Sequence, residues 1–224
     1  MSDLDEIIFN KRLSSLISLC FKMRNVLYTH PLWAIKNKEV IHKLSLELSK
    51  EHPSYLWAKR QSDSVNALGH IGTHIDCYTV SPKESEYELE VELIRCFNCM
   101  PEINEIEKRN IRGKALILYT DVLNKFEYGT KEYGEANTFL SETVLDYILS
   151  LEPKFILIDS CGIGNHGDEH IRFDKKCETN GCFVVENIFM NQTIAELITN
   201  IRIKIDISNP STGKPCQVYA IAKS

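Results

Sequence analysis

The spacing of hydrophobic positions changes from segment to segment along the chain, and the order of those spacings predicts an α/β protein. Over residues 11–27, Leu13, Leu16, Ile17, Cys20, Met23 and Leu27 recur at a helical period. This predicts an amphipathic helix packing its apolar stripe on the domain or on a partner subunit, with Pro31 and Trp33 in the connection that follows. Residues 1–38 therefore read as an N-terminal helical extension and 39–224 as the main domain. Tyr87, Leu89, Val91 and Leu93 alternate with Glu88, Glu90 and Glu92, which predicts a half-buried strand with the glutamates on its solvated face. Residues 115–120 and 155–160 are nearly continuous apolar runs and predict buried, central strands. Ile201, Ile203, Ile205 and Ile207 alternate with polar residues, Pro210 and Gly213 mark a turn, and 216–222 closes the sheet. Between the strands, Ser141 makes an N-cap for a helix to about residue 151, with Val144, Leu145 and Ile148 facing inward and Pro153 ending it. Residues 101–112 predict a short helix or loop, and 194–197 a short helix. Residues 165–180 read only as polar, with His166, His170 and Asp174 at four-residue intervals. The sum is a mixed β-core with flanking helices.

Length and composition narrow the function classes. A chain of 224 residues buries one sizeable core. A net charge of −5 gives no electrostatic case for nucleic acid or an acidic membrane as partner. No apolar run is long enough to cross a bilayer, and Asp3, Asp5 and Glu6 stand where a signal peptide would be basic, so the expectation is a cytoplasmic protein. Eight scattered cysteines then read as reduced and mostly buried thiols. Cys96 and Cys99 have the CxxC spacing, but no second pair accompanies them, and the spacing reads as coincidence.

The candidate chemistry lies in Gly69-His70-Ile71-Gly72-Thr73-His74-Ile75-Asp76-Cys77-Tyr78. His70, His74 and Asp76 all fall at even positions, so an extended strand would put them on one face. Gly72 would leave room there for an ion, and Ile71, Thr73 and Ile75 would line the opposite face. A helix would also bring His70 to His74, but Gly69 and Gly72 weaken it. Neutral imidazoles with a carboxylate suit Zn²⁺ or Mn²⁺.

His70-x-Gly72-Thr73-His74-x-Asp76 resembles the metal-binding motif of the cyclase-like amidohydrolase family, which includes bacterial kynurenine formamidase and isatin hydrolase. The resemblance spans roughly residues 40–222. Residues 40–49 are similar to the family's opening strand, and Tyr55 and Trp57 would then contribute to an aromatic pocket wall. Asp121 falls near the presumed cleft, and Phe126, Tyr128 and Tyr133 match an aromatic loop. Ile158-Asp159-Ser160 is a partial match in which Asp159 orders the loop. Residues 181–188 are similar to a strand ending in Glu-Asn, which makes Glu186 a further metal ligand. The slot for a second-metal ligand falls on Asp174, or on His170 if the loop is longer. The sequence departs from the family at Tyr78, in place of Pro, and at Val80, in place of the proton-shuttling His.

The resemblance implies a metal-dependent hydrolase of an amide C–N bond in a small molecule. Aryl formamides, cyclic imides and lactams are the implied substrates, attacked by a hydroxide on one or two divalent ions per chain. With Val80 unable to move a proton, His170 or His166 would substitute. The alternative is a non-catalytic metal- or metabolite-binding relative. A homodimer or higher oligomer, with the 13–27 helix at its interface, completes the expectation.

Overall fold

The computed structural model describes residues 39–60, 67–97 and 99–223. The expected 13–27 helix, Pro31 and Trp33 lie outside the described residues, as does the side chain of Trp57. Eight strands form one sheet: β1 (Glu39–Lys43), β2 (His74–Asp76), β3 (Glu86–Arg95), β4 (Ala115–Tyr119), β5 (Phe155–Ile158), β6 (Phe183–Glu186), β7 (Ile198–Ile205) and β8 (Gly213–Lys223). Their order is β1-β8-β2-β6-β5-β4-β3-β7, and a further β7–β8 pairing closes the sheet into a barrel. The long β8 makes closure possible, because it pairs with β2 through 213–215, with β7 through 216–222 and with β1 through 219–223. β3 to β6 run parallel to one another, and the remaining pairings are antiparallel.

The helices are α1 (Pro53–Ala58), α2 (Ile103–Ile106), α3 (Val122–Lys125), α4 (Lys131–Gly134), α5 (Glu142–Ser150), α6 (Asp168–Thr179) and α7 (Gln192–Leu197). The two faces of β4–β6 explain the continuous apolar runs. Ile117, Phe155, Leu157 and Val185 point into the barrel, where they meet Ile75, Ile201, Ile203 and Val218. Leu116, Leu118, Ile156 and Val184 point outward and are covered by Val144, Leu145 and Ile148 of α5 and by Phe173 and Cys177 of α6. Parallel strands buried on both sides have no polar face to show in sequence.

β3 is the half-buried strand that the alternation predicts. Its outer glutamates pair across the sheet, Glu88 with Arg202 at 2.8 Å and Glu90 with Lys114 at 3.1 Å, so they are not a ligand row. Ser141 caps α5, its hydroxyl accepting from Val144 N at 3.3 Å. α6 is a 12-residue helix in a segment that the sequence reading took only as polar. Its signals were Asp168 and Glu169 in the first turn, Lys176 in the last, and Phe173 and Cys177 four apart on the buried face. Cys96 is buried and Cys99 exposed, both free thiols. No helix among the described residues is long and apolar enough to cross a membrane.

Candidate metal centre

Residues 67–76 do not form one extended strand. Ala67–His70 is a 3-10 turn, residues 71–73 bend, and only His74–Asp76 joins the sheet. Gly72 has φ +68, and a Cβ there would sit 2.3 Å from Leu46 O. Glycine is therefore required by a left-handed bend and by the close approach of residue 46, not by space for an ion. Thr73 ties this bend down: its hydroxyl accepts from Leu46 N at 2.6 Å and donates to Asn187 O at 2.7 Å.

The bend still brings the three ligand candidates together. His70 Nδ1 lies 2.8 Å and His74 Nε2 3.2 Å from Asp76 Oδ1. His74 is directly opposite Glu186 in the β2–β6 register, with Nε2 3.6 Å from Glu186 Oε2. From the other side, α6 delivers His170, whose Nε2 is 3.0 Å from Asp76 Oδ2, 3.3 Å from Asp174 Oδ2 and 3.5 Å from Glu186 Oε1. Two groups of ligand atoms result, His70/His74/Asp76 and Asp76/His170/Asp174/Glu186, each with its atoms within 4.8 Å of one another. Asp76 belongs to both. Asp174 and His170, the two candidates for one slot, both reach the cluster, since residues four apart share a helical face.

The orientation of His74 is fixed from behind. Its Nδ1 donates to Gly72 O at 2.9 Å, which leaves Nε2 facing Asp76 and Glu186. Gly72 O also accepts from Asn187 Nδ2 at 3.1 Å, and Asn187 Oδ1 accepts from the Tyr133 hydroxyl. Asn187 and Tyr133 therefore hold the ligand strand, a role the sequence did not reveal.

The donor set fits a divalent ion. Asp76 Oδ1, Glu186 Oε1 and both oxygens of Asp174 are buried without an aligned hydrogen-bond partner. Buried carboxylate oxygens are normally satisfied, and a set that converges unsatisfied has the chemistry of a cation site. Imidazole nitrogen and carboxylate oxygen together suit Zn²⁺ or Mn²⁺. The electrostatics agree. Burial works against the charged His74 imidazole, but Asp76 and Glu186 outweigh it and raise its pKa to about 9. Burial likewise opposes His170, and Asp76, Glu186 and Asp174 raise it to about 10. Burial pushes Asp174 well above the carboxylate range, with Glu186 and Asp76 adding to the shift. Burial and Asp76 raise Glu186 too, whereas Asp76 is held well below the usual range, the pull of His74, His170 and His70 outweighing its burial.

A cavity of about 750 Å³ opens over the cluster, with His70, His74, Asp76, His170 and Glu186 among its lining residues. Tyr128, Tyr133, Cys161, His166 and Arg60 line it too. The aromatic wall is Tyr128 and Tyr133, with ring centroids 5.4 Å apart; Tyr55 lines a separate hollow with Leu46 and Leu68. Gly162 borders the cluster at φ +94, and a Cβ there would come within 2.5 Å of the His170 ring and 2.6 Å of Glu186 Oε1. His166 Nε2 donates to Gly134 O at 2.8 Å and lies 3.6 Å from Cys161 Sγ.

The other marked residues stand apart. Asp159 Oδ1 accepts from Thr120 N at 2.7 Å and Thr120 Oγ1 at 2.8 Å, so it orders the loop after β4. Asp121 accepts from the Tyr119 hydroxyl at 2.8 Å and does not line the cavity. Val80 is half-exposed and does not line it either. His170, which the sequence offered with His166 for proton transfer and with Asp174 as a second-metal ligand, has its Nε2 among the cluster's carboxylates.

No family model matches the sequence, and no curated protein matches it. Solved structures match by fold. A potential metal-dependent hydrolase with cyclase activity superposes with a TM-score of 0.58 at 13% identity, over 84% of this chain and 100% of that one. Isatin hydrolase A from Labrenzia aggregata, bound to benzyl benzoate, gives 0.57 at 13% identity over 83% and 94%. An isatin hydrolase bound to the product analogue thioisatinate gives 0.54 at 16% identity over 84% and 82%. The described residues thus have the fold of cyclase-like metal-dependent hydrolases.

Proposed function

We propose that this chain is a metal-dependent hydrolase that cleaves an amide C–N bond in a small molecule such as an aryl formamide, a cyclic imide or a lactam. The observation that carries the reading is the pair of ligand groups sharing Asp76 at a cavity of about 750 Å³. The shared fold with isatin hydrolases supports it. His70, His74 and Asp76 would hold one divalent ion, Zn²⁺ or Mn²⁺. Asp76, His170, Asp174 and Glu186 would hold a second. Such ions would lower the pKa of a bound water toward about 7 and polarise the scissile carbonyl.

The chain's own groups do the rest. Gly72 O keeps the Nδ1 proton of His74 and so presents Nε2. Tyr128 and Tyr133 offer an aromatic face to a substrate ring. His166 holds its Nε2 proton against Gly134 O, so Nδ1 is the ring atom left to exchange a proton with the leaving nitrogen. In this scheme His170 is a ligand and His166 takes over the proton transfer.

The test is a panel of formanilides, cyclic imides, lactams and esters, assayed with and without chelator. Hydrolysis should vanish with the metal, and His166→Ala should lower kcat by about 10²–10⁴-fold at unchanged metal content. Stoichiometric metal with no hydrolysis of any panel member overturns the proposal. It would favour a non-catalytic metal- or metabolite-binding protein, a second reading motivated by aliphatic Val80 standing where the resembling family places its proton-shuttling His.

A further inference from the structure

Glu178 lies on α6 one turn beyond Asp174 and two turns beyond His170, yet belongs to neither ligand group. It is only 3% exposed, and its carboxylate faces backbone. Oε1 accepts from Tyr78 N at 2.5 Å, and Oε2 accepts from Thr79 N at 2.8 Å, from Val80 N at 2.9 Å and from the Thr79 hydroxyl. Three successive amides beyond the end of β2 thus end on one buried side chain, and four donors fill the acceptor capacity of a carboxylate.

The segment held in this way reaches back to the cluster. The Tyr78 hydroxyl donates to Asp76 Oδ2 at 3.2 Å, and Lys175 Nζ sits 5.7 Å from the centroid of the Tyr78 ring. That same Asp76 oxygen is the one 3.0 Å from His170 Nε2. A closed circuit follows: α6 through Glu178 to 78–80, through the Tyr78 side chain to Asp76, and through His170 back to α6. Its effect is to fix β2 relative to the helix that carries His170 and Asp174.

We propose that Glu178 is a positioning residue that makes Asp76 the shared carboxylate of the two ligand groups by clamping residues 78–80 to α6. The role rests on the two-group metal reading above. Without the clamp, the His70/His74/Asp76 group keeps its own local chain path, whereas the group that spans β2 and α6 loses its alignment.

The test is stepwise Zn²⁺ titration of the full chain, stripped with chelator, for wild type, Glu178→Gln and Glu178→Ala. His70→Ala and Asp174→Asn, each removing a ligand from one group only, assign the two affinities. Glu178→Ala should weaken the ion shared with His170 and Asp174 by about 10–100-fold, as loss of an outer partner does, and leave the His70/His74 ion nearly unchanged. Glu178→Gln, which keeps an acceptor for Thr79 and Val80, should fall between. It also carries the test if the alanine variant does not fold. Hydrogen exchange of the metal-free protein gives a readout without any ion: the Thr79 and Val80 amides should be protected in wild type and exposed in Glu178→Ala. Equal affinities for both ions in all three proteins would overturn the role, as would a parallel loss at both groups in step with stability. A wild type that takes up no Zn²⁺ would overturn the metal reading and this role with it. Absent hydrolysis with two ions bound would leave the role standing.

Discussion

Replacing Asp174 with Asn should stabilise the metal-free protein and weaken the metal-loaded one. Asp174 is 2% exposed, neither oxygen has a hydrogen-bond partner, and Asp76 and Glu186 present ligand atoms within 4.8 Å. At an effective dielectric of about 20, each like-charge pair at that spacing costs about 3 kcal/mol, and a His170 imidazolium at 3.3 Å returns about 5 kcal/mol. The balance is unfavourable before the cost of two unpaired buried oxygens is added, roughly 1–3 kcal/mol for such a group. The carboxyl relieves part of this by taking up a proton, which is why its pKa stands well above the usual range. Asparagine keeps the shape, removes the charge and brings an N–H₂ donor to the neighbouring carboxylates. We therefore expect the metal-free variant to gain about 1–3 kcal/mol in unfolding free energy. Denaturant unfolding in chelator measures it, and the same titration in excess Zn²⁺ should reverse the order because the variant has lost a ligand. A variant less stable than wild type in chelator, with unchanged Zn²⁺ content, would refute the reasoning.

Two further outcomes follow from the same geometry. Gly72→Ala should destabilise the protein by at least the roughly 1–2 kcal/mol of a left-handed non-glycine backbone, because its Cβ would also meet Leu46 O at 2.3 Å; an unchanged denaturation midpoint would contradict this. Metal affinity should rise with pH, because ligation needs neutral imidazoles and the metal-free protein holds His74 and His170 protonated up to about 9 and about 10. The sign for the metal-free fold is opposite: these raised imidazoles contribute stability that is full below 6.5 and lost as pH passes about 9 to 10. Unfolding in chelator from pH 6 to 10 should thus show falling stability on the alkaline side, and proton release on Zn²⁺ uptake at about pH 7 should be measurable by calorimetry in different buffers.

The fold was most legible where burial is simplest. β4 and β5 show as apolar runs because both their faces are covered, and α5 shows because one face is apolar and Ser141 caps it. α6 hid because polar side chains break its apolar stripe: His170, Asp174 and Glu178 occupy inward positions that an ordinary helix would fill with Leu or Ile. That the side chains at 70, 74 and 76 gather in one cluster was readable from residue type, but their local path was not. The left-handed Gly72 is set by Leu46 O and Asn187, which are distant in sequence. The bracing role of Asn187 and Tyr133 was hidden for the same reason, since it consists of hydrogen bonds across the fold.

The central claim is that His70, His74, Asp76, His170, Asp174 and Glu186 form a two-ion site with Asp76 shared. Elemental analysis of the purified chain, reconstituted with Zn²⁺ or Mn²⁺ beside His74→Ala and Glu186→Ala, tests it most directly. The account predicts about two ions per wild-type chain and a loss of metal in each variant. A reconstituted wild type that holds no ion, or variants that hold as much as wild type, would contradict it.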